Sequence, residues 1–269
     1  MASLPTCAVV TYNPTVIGRD EPLRAAVAEM AESDGFALPV VDADRSFLGL
    51  ATSSAIAERL DADRDAGPDR KVGDVELAGT SLYSVDDSPW PPLTAMLRDG
   101  LSLAAVGADR RLEGVMTRRD YLREFADQWA VAGSTPVIEQ MADLHELVEA
   151  TRAVDEVVRS YRATPNSVIP IVHGGVPLGA VIARDLAARH DLARCESILG
   201  LRNRPTLSLL HSLASCGHAQ PGESLADAAR RMVEADATAL LVVNKAGRLM
   251  GSLSADQLLE FLVAHRHGR

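Results

Sequence analysis

Residues 101–122 read LSLAAVGADRRLEGVMTRRDYL: an apolar strand, a turn at GADRR, a second short strand carrying Gly114, and a helix opening at Thr117. The order recurs as FALPVVDADRSFLGLATSSAI from residue 36, SVIPIVHGGVPLGAVIARDL from 167 and TALLVVNKAGRLMGSLSADQLL from 238. Their second-strand glycines, Gly49, Gly114, Gly179 and Gly251, stand 65, 65 and 72 residues apart. A period of that size held over four copies marks a repeat architecture.

Upstream of three of these hairpins runs an amphipathic helix of the same phase. Its apolar positions are Leu23, Ala26, Val27 and Met30 in the first copy, Val154, Val157, Val158 and Tyr161 in the third, and Leu225, Ala228, Ala229 and Met232 in the fourth. Each set follows i, i+3, i+4, i+7, the stripe of a helix packed on one face. In the second copy, Ser88-Pro89-Trp90-Pro91-Pro92 opens the helix, and the prolines predict a truncated one. Each copy thus reads strand, helix, strand, strand, helix. The near-continuous apolar strands LPVV, LAAV, IPIV and LLVV call for cover on both sheet faces. Pro39 and Pro170 within two of them predict a strand edge or bulge.

The chain has 269 residues, 47% hydrophobic, 24% charged and only 4% aromatic, a soluble globular mixture whose core rests on Ala, Val and Leu. A formal charge of -10 argues against a dedicated nucleic-acid binder, since phosphate backbones are held by basic surfaces. The opening MASLPTCAVVTYNP lacks the basic-then-apolar pattern of a secretory signal, and ALLVV at 239–243 falls far short of a membrane span. Cys7, Cys195 and Cys216 form no CxxC pair and predict buried or inert thiols in a reducing cytoplasm. His265 and His267 near the chain end do not make a metal site. No nucleophile elbow, P-loop, HExxH or dinucleotide fingerprint is present, so the expectation is a protein that is not an enzyme.

The Leu38-Pro39-Val40-Val41-Asp42 strand, the turn and glycine that follow each such strand, and the Gly-x-x-Thr-x-x-Asp ending of GVMTRRD at 114–120 resemble the CBS domain, named after cystathionine β-synthase, in which two copies form a Bateman module. The resemblance covers nearly the whole chain. It implies an α+β fold of four β-α-β-β-α repeats paired into two modules, with repeats at 1–63, 64–129 including a linker, 136–193, and 194–269 including a linker. The Gly- and Pro-broken stretch 61–79 and AVAGSTP at 130–136 supply connectors. LSLLHSL in the last connector reads equally as a short helix or a strand.

The resemblance further implies adenosine compounds in clefts between paired repeats, with the Thr and Asp of the T-x-x-D motif on ribose or phosphate. Carried over, Thr117 and Asp120 complete the motif in the second repeat, with Arg118 and Arg119 as phosphate ligands. The base would lie near Ser84, Val85, Val115 and Met116. In the third repeat Ile182 replaces the hydroxyl residue and leaves Arg184 and Asp185 as a partial site. The first keeps Thr52 but has Ala55 at the carboxylate position; the fourth keeps Ser254 but has Gln257, with Asp256 displaced by one. One good site per half is therefore expected, around Asp120 and around Asp185.

A carboxylate accepts two vicinal hydroxyls, and helix-start N–H groups with arginines neutralise phosphate. The plain alternative for Thr117 and Asp120 is a helix cap worth about 1 kcal/mol, and for the arginines a solvated helix face. The expected ligand is AMP, ADP or ATP, with S-adenosylmethionine or NADH as alternatives. The expected role is a sensor for an unidentified partner protein, with homodimerisation open. The competing reading is an interaction scaffold whose clefts have lost their ligand.

Overall fold

The computed structural model describes residues 9–33, 35–62, 70–126, 134–144, 146–201, 208–209 and 217–265. It divides into two compact units, Met1–Thr117 with Ala187–Thr206, and Arg118–Leu186 with Leu207–Arg269. Cys7, Cys216, His267 and most of LSLLHSL lie outside the described residues.

The first unit holds β1 (Thr11–Tyr12), β2 (Ile17–Gly18), α1 (Leu23–Glu32), β3 (Ala37–Val41), β4 (Phe47–Thr52) and α2 (Ser53–Ala62). Next come β5 (Leu82–Tyr83), α3 (Trp90–Asp99), β6 (Leu103–Ala108) and β7 (Arg111–Thr117). The second unit begins with α4 (Arg118–Ala126), followed by β8 (Val148–Glu149), α5 (Val154–Ser160), β9 (Val168–His173) and β10 (Val176–Ile182). After α6 (Ala183–Ile198), divided between the units, it continues with β11 (His218–Ala219), α7 (Leu225–Glu234), β12 (Ala239–Val243), β13 (Leu249–Ser254) and α8 (Ala255–His265).

Four small sheets result, ordered β2-β3-β4, β1-β7-β6-β5, β8-β9-β10 and β11-β12-β13. In each, the short first strand of the repeat runs parallel to the second and the third pairs antiparallel with it. The helix between the first two strands is the crossover that a parallel pair requires. The hairpins turn through left-handed residues: Arg45 (φ 64°) in DADRS, Asp109 and Arg110 (49° and 66°) in GADRR.

The helix stripes are core. Leu23, Ala26, Val27 and Met30 are fully buried with Leu38, Val40 and Ile56, and Leu192 and Cys195 of α6 join them. In the second unit Val154, Val157, Ile169, Ile171 and Val181 form the corresponding cluster, with Val158 and Tyr161 packed against it. Each such side chain contributes about 1.5–3 kcal/mol.

Two expectations are corrected. The second-repeat helix α3 is not truncated: it has ten residues, as many as α1 and α7, with Pro92, Leu93 and Met96 buried. Its prolines fall in the first turn, where the N–H groups have no helical acceptor to lose. The short helix is α5, with seven residues, whose last hydroxyl, Ser160, bonds back to the Glu156 carbonyl. Pro39 and Pro170 lie in central strands rather than at an edge. The parallel neighbours reach only Val40–Val41 and Ile171–Val172, so each proline sits one residue before that pairing begins, where no ladder bond is lost.

Two of the repeated glycines, Gly114 and Gly251, share a reason. A Cβ on Gly251 would stand 2.6 Å from the Ala142 carbonyl oxygen, and one on Gly114 2.9 Å from that of Thr11. In both cases the segment leading into the sister repeat crosses the strand at the glycine, and Ala142 pairs with Ser252 through two backbone bonds of 2.8 and 3.0 Å.

Candidate functional site

The four helices that end the repeats start differently, as their sequences dictate. In the first repeat the Ala55 N–H donates to Thr52 Oγ1 at 3.2 Å, an ordinary cap. In the fourth the cap is reciprocal: the Gln257 N–H donates to Ser254 Oγ at 3.1 Å, and the Ser254 N–H to Gln257 Oε1 at 2.7 Å. Gln257 Nε2 also donates to the Gln140 carbonyl at 3.0 Å. The glutamine that replaces the motif carboxylate thus ties the helix start to the segment leading into the third repeat.

In the second repeat Thr117 is the last residue of β7 and the next three residues open α4. Arg118 is nearly buried, and its Nε lies 2.9 Å from Asp256 Oδ1. Burial pulls the Arg118 pKa below the usual guanidinium value, and the Asp256 carboxylate opposes that shift. Arg119 is at the surface, 2.6 Å from Asp236, and donates at 3.2 Å to the Val233 carbonyl in the last turn of α7, where a cation is favoured. Asp120, 14% exposed, faces Arg123 at 3.4 Å.

In the third repeat Arg184 grips Asp256 with two nitrogens, at 2.5 and 2.9 Å, and donates to Asn166 Oδ1 at 2.8 Å. Its Nε is 3.5 Å from Asp185. Asp256 is therefore held by two arginines, all three side chains less than 15% exposed. Of the remaining candidates, Val115 and Met116 are buried in β7, paired with Ala105 and Ala104, and Ser84 and Val85 follow β5 half-buried, with Ser84 Oγ accepting from the Asp86 N–H at 3.2 Å.

Asp256, Asn166 and Gln257 meet at a cavity of about 410 Å³ within the second unit, in the size range of small-molecule sites. Ser254 and Gln257 at the start of α8 form one wall, Thr164–Val168 before and at the start of β9 another, and Ala142 and Asp143 a third; Ser252, Asp256 and Glu260 complete it. Partial burial raises the Glu260 pKa, and the nearby Asp256 adds to the rise. Sequence reasoning missed Asn166, Asp143, Asp256 and Glu260 as lining groups. One signal was available: at the position before the motif carboxylate, Arg119 and Arg184 face a sign change to Asp256 in the fourth repeat.

A larger, open depression of about 1200 Å³ lies over α7, and four of its charged groups pair among themselves, Arg231 with Glu223 and Arg230 with Asp227. His265 stacks on Phe261 and its Nδ1 lies 2.8 Å from the Phe261 carbonyl. Among the described residues no helix is long and apolar enough to cross a membrane.

Four sheets of one topology, with a cleft at the terminal helix of one repeat, have counterparts among known proteins. The family model of the CBS domain matches residues 7–62 and 218–264, the first and fourth repeats. Those two repeats are thus similar to the CBS domain, and the four small sheets with their helices have the fold of CBS repeat pairs. A solved structure from Methanocaldococcus jannaschii, protein MJ1225, described as a proposed archaeal homologue of γ-AMPK, is similar over 96% of this chain and 100% of its own, with a TM-score of 0.71 at 17% identity. An uncharacterised conserved protein from Pyrococcus horikoshii is similar over the same shares, with a TM-score of 0.60 at 15% identity. At such identities the likeness concerns the fold. A sequence comparison with curated proteins finds no match.

Proposed function

We propose that this chain is a CBS-domain protein throughout and a non-catalytic regulator that binds an adenosine-containing ligand between paired repeats and passes its ligand state to a partner protein in the cytoplasm. The observation that carries the reading is the 410 Å³ cavity, where a helix start, a strand start and a crossing segment bring Ser254, Gln257 and Asn166 to one cleft. Gln257 uses one oxygen lone pair and one N–H within the protein, which leaves one acceptor and one donor position for ribose hydroxyls. Arg184 only donates, so it fixes Asn166 with its oxygen inward and leaves the NH2 group as donor to a ligand. In the second repeat, Thr117 and Asp120 carry the complete motif, and of its two arginines the exposed Arg119, rather than the buried Arg118, is the cation that would favour AMP, ADP or ATP. Occupancy changes how paired repeats sit against each other only through a differential affinity for two arrangements.

Titration calorimetry of the wild-type chain and Asp120→Ala with AMP, ATP, S-adenosylmethionine and NADH tests this. Saturable binding by wild type, weakened in the variant, is expected. Failure of all four to bind would leave the scaffold reading, and nucleotide turnover would make the protein an enzyme. Light scattering after size exclusion reports whether copies pair.

A further inference from the structure

The fourth-repeat cavity has a charge that the family motif does not foretell. Among the described residues, three of its lining side chains are carboxylates, Asp143, Asp256 and Glu260, and none is Lys or Arg. The guanidinium groups that touch its lining side chains are already engaged by them. Arg184 holds Asp256 with two nitrogens and Asn166 with one of them, and Arg118 lies against Asp256 from within the unit. Asp256 is 8% exposed and so occupies the place on these arginines that a ligand phosphate would need. A phosphate entering the cavity would have to displace a buried, bidentate carboxylate while facing two further acids. Like charges brought together at a desolvated site repel one another strongly.

We infer that this cavity takes a nucleoside without phosphate, uncharged or carrying a cationic substituent, and that its carboxylates Asp143, Asp256 and Glu260 together exclude nucleotides from it. The inference rests on the adenosine reading above and assigns that ligand's charge class at this one cleft. A cationic group on the ligand would meet Asp143 and Glu260. The ribose would meet Gln257 and Asn166.

Calorimetry with adenosine, AMP and S-adenosylmethionine on three chains tests it: wild type, Thr164→Trp, and the double variant Asp143→Asn with Glu260→Gln. Thr164 is exposed at the cavity wall, so the tryptophan blocks the cleft without disturbing the core. Folding of each chain is checked by circular dichroism. Adenosine is expected to bind wild type at least about tenfold more tightly than AMP at the step that Thr164→Trp abolishes, with S-adenosylmethionine at least as tight as adenosine. The double variant should narrow the gap between adenosine and AMP at that step. AMP binding there as tightly as adenosine in wild type would overturn this inference and leave the adenosine reading intact. Absence of binding by all three compounds to wild type would overturn both.

Discussion

Arg184 meets Asp256 with two nitrogens, at 2.5 and 2.9 Å, across the start of two helices that belong to different repeats. With Arg118 at 2.9 Å on the same carboxylate and Asp185 3.5 Å from Arg184, the pair becomes a largely buried four-member cluster. Taking one partner from such a cluster leaves the others charged and desolvated. Asp256→Ala should lower stability by about 3–5 kcal/mol, measured by urea unfolding, whereas exchanging all four for apolar residues of similar volume should cost far less. Equal losses in the two variants would mean that packing, and not charge, is what the cluster supplies.

Gln257 closes the cap of α8 and reaches the Gln140 carbonyl. Gln257→Ala is expected to cost about 1 kcal/mol of unfolding free energy and to weaken adenosine binding as well. A variant that loses stability but keeps full affinity would make this residue a cap only.

Gly251 leaves room for the Ala142 carbonyl, 2.6 Å from where a Cβ would lie, with Met141 Sδ at 3.0 Å. Because the obstacle includes backbone, it cannot simply rotate away. Gly251→Ala should destabilise the chain by about 1–3 kcal/mol in the same unfolding assay and separate the Ala142–Ser252 pairing that backs the cavity. An alanine chain as stable as wild type would show that the crossing segment yields.

Burial, with Asp191 nearby adding to the effect, pushes the Cys195 thiol from 9.0 up to about 12. The native chain therefore keeps a proton that the unfolded chain loses. The thiol's contribution to stability is complete below pH 9 and is lost progressively between pH 9 and 12, so the stability difference between wild type and Cys195→Ala should shrink across that window. At pH 8, iodoacetamide should label Cys195 at least about a hundredfold more slowly in the native chain than in urea, read by peptide mass spectrometry. Comparable rates would contradict its burial.

Most of the fold was legible because helix stripes and strand runs repeat their burial period: Leu23, Ala26, Val27 and Met30 are fully enclosed. What was misread turned on position within an element. Pro91 and Pro92 fall in a first turn that tolerates them, and Pro39 lies in a central strand at a point its short neighbour does not reach. The motif at 114–120 was legible as residues, but the partners of its arginines were not. Asp236 and Asp256 lie more than a hundred residues away, brought to Arg119 and Arg118 by tertiary packing within the second unit. The cavity escaped for the same reason, since Asn166, Asp143 and Glu260 carry no local signature and only the fold assembles them.

The most direct test of the central claim is a crystal structure of the wild-type chain grown with saturating adenosine. The account predicts the nucleoside in the cleft of the fourth repeat, its ribose hydroxyls within hydrogen-bond distance of Gln257 and Asn166, with Arg184 still on Asp256. A cleft that stays empty at saturation, with no adenosine between any pair of repeats, would contradict it.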